Sequence, residues 1–157
     1  MTLEMSDHWL RLDNQLCFPL YAAARAIMQA YQPELGKLGL TYPQYLVMMV
    51  LWEADGLSVK ALGEKLYLDS GTLTPLLKRL EEGGLLRRAR AAHDERVVEL
   101  FLTAEGKRLK KRAEEIPQEV LCRIGVPLEK VLRLRDEVKV LFKHLREANG
   151  RIEKESP

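Results

Sequence analysis

Two cysteines are the most reactive side chains of this sequence, because a thiolate attacks peroxides and disulfides. Cys17 falls in the first turns of a predicted helix, where free backbone N–H groups and the helix dipole stabilise an anion. Pro19 is typical of a helix start, and Tyr21 lies on the same helical face as Cys17, so that its hydroxyl is placed to bond the sulfur. These residues fit a reactive thiol site.

The same residues also fit an inert site. Cys17 lies between two apolar residues, and a cysteine in such a setting more often serves packing than chemistry. Cys122 precedes a predicted chain break at Gly125 and Pro127, which favours a mobile segment, although spacing does not reveal a disulfide. Residue types and spacing leave both possibilities open for each cysteine.

Composition limits the classes of protein that the chain can belong to. With 157 residues, of which 46% are hydrophobic and 31% charged, we predict one soluble globular domain over 1–157. No stretch approaches the roughly 18 apolar residues of a membrane span, and the acidic N-terminus argues against export. Two cysteines do not make a secreted disulfide framework, so we expect a cytoplasmic protein without membrane association. We expect no metal or other cofactor, because no glycine-rich phosphate loop occurs and the histidines are scattered, at His8, His93 and His144.

The first helix is predicted from about Asp13 to Tyr31, with a break at Pro33, Gly36 and Gly39. Apolar residues cover much of its circumference, so we expect burial on several sides and an oligomer contact. One stripe contains Leu12, Leu16, Leu20, Ala23, Ile27 and Tyr31, and an adjoining stripe contains Cys17, Tyr21, Ala24 and Met28.

The second helix is predicted to start at Thr41, with Gln44 as its capping-box partner, and to end at the turn Asp55-Gly56. Its apolar residues predict a core helix: Tyr45, Leu46, Met48, Met49, Leu51 and Trp52.

Two short helices separated by a tight turn come next. Ser58 caps the first, predicted over 59–66, and the second starts at Asp69 or Ser70 and ends at the glycine pair 83–84. This is the helix-turn-helix arrangement, whose second helix enters the major groove of DNA.

Residues 85–88 and 97–102 are predicted strands, joined by a polar loop over 89–96. They predict a β-hairpin with a basic rim, the wing of a winged-helix fold. Thr103 is predicted to cap a further helix through about Glu115.

Pro117, Gly125 and Pro127 predict an interruption before the last helix. That helix has an apolar seam of roughly heptad spacing, made of Leu128, Val131, Leu132, Leu134, Val138, Leu141, Phe142 and Leu145. A body this small does not bury such a seam, so we expect it to pack against a second copy in a homodimer.

Positive charge is concentrated in the predicted helix-turn-helix and wing. Residues 58–112 contain 13 basic and 8 acidic residues, and the remainder has 12 basic and 15 acidic ones. This distribution indicates a polyanion such as DNA as the partner. There are two alternatives: a basic face that is only solvated, and a winged fold that binds only proteins. Pro75 predicts a local distortion of the second helix. The candidate DNA contacts are Ser70, Thr72, Thr74, Lys78 and Arg79 on that helix, and Arg87, Arg88, Arg90 and Arg96 on the hairpin.

The stretches LDSGTLTPLLKRLEEGGLLRR and HDERVVELFLTAEG resemble the MarR family of winged-helix repressors. The Asp94-x-Arg96 pair and the Leu102-Thr103-x-x-Gly106 segment are hallmarks of that family. The segment LDNQLCFPLYAAARAI resembles the OhrR branch, which senses organic hydroperoxides. The resemblance extends from about Leu12 to Leu145. It implies a mainly α fold with a small β-hairpin wing, in which 10–35 and 113–148 form the dimerisation region and 41–102 the DNA-binding region.

The resemblance also implies site residues. Cys17 matches the peroxidatic cysteine, Tyr31 and Tyr42 match two tyrosines that reach it from the other subunit, and Tyr21 matches a further nearby tyrosine. Cys122 matches the resolving cysteine of a two-cysteine subclass. On the wing, Asp94 and Arg96 match the tip pair, with Arg96 in the minor groove.

The expected function is that of a dimeric repressor of a pseudo-palindromic double-stranded operator, released when organic hydroperoxide leads to an intersubunit Cys17–Cys122 disulfide. One alternative is a non-redox regulator of the same fold, released by a phenolic or apolar ligand. The other is a thiol-dependent peroxidase. We do not expect this protein to be an enzyme, because no Cys-x-x-Cys motif occurs and the basic module has no role in the turnover of a peroxide.

Overall fold

The computed structural model describes residues 8–155, the last five in their backbone alone. The acidic residues at positions 4 and 7, on which the expectation against export partly rests, lie outside the described residues. The chain divides into two compact units, 1–117 and 118–157. After a 3-10 turn at Leu12–Asn14, the elements are α1 Cys17–Lys37, α2 Tyr42–Glu53, β1 Leu57–Ser58, α3 Val59–Leu66, α4 Ser70–Glu82, β2 Leu86–Ala91, β3 Asp94–Leu102, α5 Ala104–Ala113, α6 Ile116–Ile124 and α7 Leu128–Glu155. The predicted fold class, mainly α with a small hairpin, is confirmed.

The first helix differs from its prediction at both ends. It starts at Cys17 rather than Asp13 and continues through Pro33 to Lys37, so the predicted break at Pro33 is wrong. A proline removes one intrahelical hydrogen bond, and Leu35, buried just after it, holds the last turn by tertiary packing. The chain turns at Gly39, whose φ of 69° lies in the left-handed region that favours glycine.

The predicted helix starts are confirmed by their caps. Thr41 and Gln44 form a reciprocal capping box, in which the Thr41 N–H donates to Gln44 Oε1 at 2.9 Å. The side chains of Ser58, Asp69 and Thr103 each accept from the backbone N–H three residues on, at 3.1, 2.8 and 3.0 Å. Each cap satisfies a backbone donor that the helix itself leaves unpaired.

Helix α2 forms the centre of the first unit, as predicted, although its buried face is rotated from the predicted one. Leu46, Met49 and Trp52 are half-buried, while Val47 and Val50 are buried. Almost every residue of this helix is apolar, so the periodicity of apolar residues did not indicate which face is buried. The core is completed by Leu35, Leu62, Leu73, Leu77, Leu80, Leu86, Leu100 and Leu102.

The sheet has three antiparallel strands in the order β1-β3-β2. Strand β1, which the sequence analysis missed, is only two residues long and pairs Leu57 with Leu100. The predicted loop over 89–96 is wrong, because the strands extend to Ala91 and from Asp94 and leave two residues for the turn. Polar side chains do not prevent strand pairing in a hairpin whose two faces are exposed to solvent.

Pro117 is also placed differently from its prediction. It is the second residue of α6, where a proline costs no intrahelical hydrogen bond, rather than part of an interruption. The break falls at Gly125, with a φ of 67°, and α7 starts at Leu128 as predicted.

Both terminal helices keep apolar side chains exposed in the single chain. At the N-cap of α1, Leu16 is 61% exposed in the single chain, and its expected burial in an oligomer contact stays a prediction. On α7, six seam residues are exposed: Leu128, Leu132, Leu134, Val138, Phe142 and Leu145. None of the helices in the described part of the chain is both long and apolar enough to cross a membrane.

Gly106 supplies a test of the packing between α5 and β2. A Cβ at this position would lie 2.0 Å from the Leu85 carbonyl oxygen, so we expect Gly106→Ala to lower the free energy of unfolding by about 2–4 kcal/mol. Gly36→Ala is the matched control, because nothing lies within 4 Å of its Cβ and alanine favours the helix by up to about 1 kcal/mol. Urea unfolding at fixed protein concentration measures both, and equal effects would contradict the close approach.

Candidate DNA-reading module and thiol site

Helix α4 separates a buried face from a polar one. Leu73, Leu77 and Leu80 are buried, and the predicted DNA contacts are exposed: Ser70, Thr72, Thr74, Lys78 and Arg79. The Asp69 carboxylate accepts from the Thr72 N–H at 2.8 Å and from its hydroxyl at 3.1 Å, and these bonds lower the pKa of Asp69. The start of the helix is therefore fixed, with its hydroxyl-bearing residues in solvent.

Pro75 does not interrupt α4, which runs unbroken from Ser70 to Glu82. The proline lacks the N–H that would pair with the Gly71 carbonyl, so one bond is lost near the start of the helix. Thr74 donates its hydroxyl proton to the Ser70 carbonyl at 2.7 Å. Its oxygen remains available as an acceptor.

The wing is tied to α4 through one carboxylate. Glu81 accepts from the Arg88 backbone N–H at 2.8 Å and from its guanidinium at 2.8 and 2.7 Å. These bonds, that of the backbone N–H first, lower the pKa of Glu81. The assignment of Arg88 to DNA stays a prediction, and the structure shows this side chain joining the wing to the helix. Sequence analysis missed Glu81, because the pairing exists only after the hairpin folds back.

The wing tip presents an oriented arginine. Arg96 donates from Nε and Nη2 to the two carboxylate oxygens of Asp94, at 3.1 and 3.2 Å, and its side chain is 91% exposed. These bonds lower the pKa of Asp94, so the pair stays ionised at neutral pH. Arg90 donates across the hairpin to the Glu95 carbonyl at 2.8 Å, and Arg87 stacks on Phe101.

Cys17 is the first residue of α1, so it lies in the first turn of a helix. Leu16 at the N-cap makes no side-chain cap, so the N–H groups of the first turn have no such partner. Cys17 is exposed in the single chain, so it is not part of the core of one copy. Cys122 is also a free, exposed cysteine and lies on α6.

The predicted tyrosines fall in two places. Tyr21 lies one turn after Cys17, and its hydroxyl accepts from Arg25 Nη1 at 3.2 Å. Tyr31 and Tyr42 contact each other edge to face, with ring centroids 5.2 Å apart, and both rings also meet Tyr45. Burial raises the pKa of all three clustered tyrosines, so their hydroxyls keep their protons at neutral pH.

A cavity of about 450 Å³ lies beside Tyr42, between α1 and the start of α2. Arg25 is the one charged side chain in its lining, which also includes Met28, Gln29, Gln32, Leu35, Leu40 and Pro43. Among the side chains that the structure describes, those of residues 8–150, no group of three or more His, Cys, Asp or Glu is arranged to hold a metal ion.

The Glu81–Arg88 contact predicts a local change that neighbouring residues do not share. We expect Glu81→Gln to lower the free energy of unfolding by about 1 kcal/mol and to speed amide hydrogen exchange in β2 and β3, because the wing loses a charge-assisted contact. Glu82→Gln is the control, since Glu82 makes only a 3.8 Å contact with Lys78 at the surface.

This effect depends on pH with a defined sign. The pKa of Glu81 is lowered in the folded protein, so its contribution is present above the ordinary pKa of glutamate and disappears as pH falls through the lowered value. The difference in unfolding free energy between wild type and Glu81→Gln should therefore shrink on acidification. A constant difference from pH 7 to pH 3 would contradict this account.

Comparison with known proteins places the chain in a family. Residues 29–113 match the family of SarA/Rot transcriptional regulators. The organic hydroperoxide resistance transcriptional regulator of Bacillus subtilis (strain 168) is 47% identical over 143 residues, which are 91% of this chain and 97% of that protein.

Solved structures agree with this placement. AbfR of Staphylococcus epidermidis in its reduced, DNA-bound form is 36% identical, with a TM-score of 0.74 over 89% of this chain and 98% of that one. Its disulfide form has a TM-score of 0.60 at 37% identity, over 90% and 97% of the two chains. A MarR-family regulator from Rhodococcus sp. RHA1 has a TM-score of 0.75 at 25% identity, over 84% and 95%. The chain therefore belongs to the MarR family of winged-helix transcriptional regulators, in the branch of the organic hydroperoxide resistance regulators.

Proposed function

We propose that this regulator is a cytoplasmic, dimeric repressor that binds a pseudo-palindromic DNA operator and releases it when an organic hydroperoxide oxidises Cys17. The observation that carries the proposal is that one module combines the exposed polar face of α4 with the oriented, exposed Arg96 of the wing. The Bacillus subtilis relative, named for organic hydroperoxide resistance, and the DNA-bound AbfR support the same function.

DNA reading is divided between α4 and the wing. The exposed hydroxyls of Ser70, Thr72 and Thr74 lie in the first turns of α4, where backbone N–H groups and the helix dipole favour a phosphate. Lys78 and Arg79, further along, contact phosphates or guanine edges. Arg96, held by Asp94, enters the minor groove.

The second copy covers the apolar faces of the terminal helices. Residues 10–35 and 113–148 form this dimerisation region, and 41–102 form the DNA-binding region. Exposed leucines and a phenylalanine on α1 and α7 support the assignment, because a monomer rarely leaves so much apolar surface in water. A two-fold dimer then presents one α4 to each half-site of the operator.

The signal acts by a two-electron oxidation of sulfur. The Cys17 thiolate attacks the outer oxygen of the hydroperoxide, the O–O bond breaks, and Cys17 becomes a sulfenic acid while the peroxide leaves as an alkoxide that takes up a proton to become an alcohol. The Cys122 thiol of the partner subunit then displaces water from the sulfenic acid and forms the intersubunit disulfide. Tyr31 and Tyr42 of the partner donate hydrogen bonds at the reacting sulfur, consistent with their protonated state.

Disulfide formation and DNA binding oppose each other in this mechanism, because each favours a different arrangement of the dimer. Among the AbfR structures, the reduced and the overoxidised forms are bound to DNA, and a further structure contains the disulfide form. The DNA-bound reduced form supports the thiol form as the DNA-binding state of this regulator.

A second candidate function rests on the cavity beside Tyr42. Its volume of about 450 Å³ and its mixed lining suit a small amphipathic ligand, which would release DNA without sulfur chemistry. Release of DNA from a Cys17→Ser variant by such a ligand would favour this function over hydroperoxide sensing.

The thiol mechanism predicts separate effects for the two cysteines. Cys17→Ser should bind DNA from upstream of its own gene as tightly as wild type and keep it after stoichiometric cumene hydroperoxide, because no sulfenic acid forms. Cys122→Ser should form a sulfenic acid detectable with dimedone, but no crosslinked dimer on a non-reducing gel. Release of Cys17→Ser at the wild-type dose would overturn the sensor assignment.

The wing predicts a measurable share of DNA affinity. Arg96→Ala should weaken operator binding about tenfold and make the salt dependence less steep, because one cation leaves the interface. Arg133→Ala serves as the control. Arg133 carries the same charge and pairs with Glu129, and both residues lie on α7, outside the wing. Unchanged affinity of Arg96→Ala at every salt concentration would remove the wing from the interface.

A further inference from the structure

Arg25 has no assigned role in the sequence analysis, yet it contacts a residue of the thiol site in two ways. Its Nη1 donates to the Tyr21 hydroxyl at 3.2 Å, and its guanidinium carbon lies 5.5 Å from the centroid of the Tyr21 ring. The same side chain lines the cavity beside Tyr42. Arg25 therefore connects the start of α1 with the cavity.

Cys17, Tyr21 and Arg25 follow one another at intervals of four residues on α1, so they lie along one helical face. Side chains on a helix lean toward its N-terminus. Arg25 accordingly reaches back to Tyr21, and Tyr21 in turn leans toward Cys17. Along the helix face, Tyr21 therefore lies between the Arg25 guanidinium and the Cys17 thiol.

The direction of the Arg25–Tyr21 bond follows from its chemistry. A guanidinium has donors and no acceptor, so the Tyr21 oxygen must accept. The phenolic proton is then directed away from Arg25, and donation from a cation makes this O–H a stronger donor. The phenolic proton is therefore free for a second acceptor, and Cys17 lies one helical turn from Tyr21 in the direction of the N-terminus.

We propose that Arg25 is a positioning residue, which holds the Tyr21 hydroxyl as a hydrogen-bond donor toward the Cys17 sulfur. The inference rests on the proposed function of Cys17 as the reactive thiol and adds to it a residue that controls its reactivity. Donation to the sulfur stabilises the thiolate, which is the form that attacks electrophiles.

A direct effect of the Arg25 charge on Cys17 is the alternative to this mechanism, because the guanidinium lies at the Tyr21 hydroxyl, one turn nearer to Cys17 than its own backbone position. The two mechanisms differ in their dependence on Tyr21. An effect that passes through the Tyr21 hydroxyl disappears in Tyr21→Phe, whereas a direct effect of the charge remains.

The test is a double-mutant cycle on the full-length protein. We would measure the rate at which iodoacetamide alkylates Cys17, and separately the rate at which cumene hydroperoxide converts it to a sulfenic acid, by mass spectrometry of the Cys17 peptide. Arg25→Met and Tyr21→Phe should each slow alkylation about threefold, because a smaller fraction of Cys17 is then present as the reactive thiolate. The double variant should be no slower than Tyr21→Phe alone, and Arg25→Lys should recover part of the rate.

Arg108→Met is the matched control, because Arg108 is an exposed, paired arginine on α5 and should leave the rate unchanged. Circular dichroism would verify that each variant is folded. An equal slowing by Arg25→Met in the Tyr21→Phe background, or no slowing in the wild-type background, would overturn the proposal.

The two reagents separate this proposal from the proposed function. If iodoacetamide gives the expected cycle but wild-type Cys17 fails to react with hydroperoxide, the positioning role stands and the sensor function fails. If hydroperoxide oxidises wild type and Arg25→Met at the same rate and alkylation is also unchanged, the sensor function stands and the role of Arg25 fails.

Discussion

The winged-helix module depends on a close approach between the first turn of α5 and the start of β2. The Thr103 N–H donates to the Leu85 carbonyl at 3.1 Å, and its hydroxyl donates to the Gly84 carbonyl at 2.6 Å. Trp52 of α2 donates its indole N–H to the Gly106 carbonyl at 2.9 Å. Only glycine at position 106 lets the two backbones come this close. The wing, α5 and the central helix are therefore fixed to one another at a single joint.

The basic charge of the module is divided between internal contacts and solvent. Arg88 is bound to Glu81, Arg87 stacks on Phe101, and Arg90 bridges the hairpin. Arg96 is left at the wing tip, held by Asp94 but almost fully exposed. Net charge therefore overstates the number of arginines free to meet a polyanion. The contacts of Arg88 and Arg90 instead stabilise the hairpin that carries Arg96.

Helix α1 combines two requirements in one element. Its apolar side chains are exposed in the single chain and call for a partner, and its first residue is the cysteine of the proposed sensor. In the proposed mechanism the reactive sulfur therefore lies at the subunit interface, where a change in bonding alters the arrangement of the two copies. In such a location a local oxidation changes the positions of the DNA-binding helices, because packed interfaces shift between discrete states rather than deform gradually.

The sequence by itself determined the features that depend on neighbouring residues. The helix starts at Thr41, Ser58, Asp69 and Thr103 were predictable, because each cap bonds a backbone N–H only three residues away. The exposed polar face of α4 and the position of Cys17 followed from helical periodicity and from the family resemblance. Tertiary structure decided the rest. Packing carried α1 through Pro33, strand pairing lengthened the wing beyond its apolar residues, and hairpin folding brought Glu81 to Arg88. Each of these features depends on contacts between residues of different elements. Local propensity does not predict such contacts, because they form only when the chain has folded.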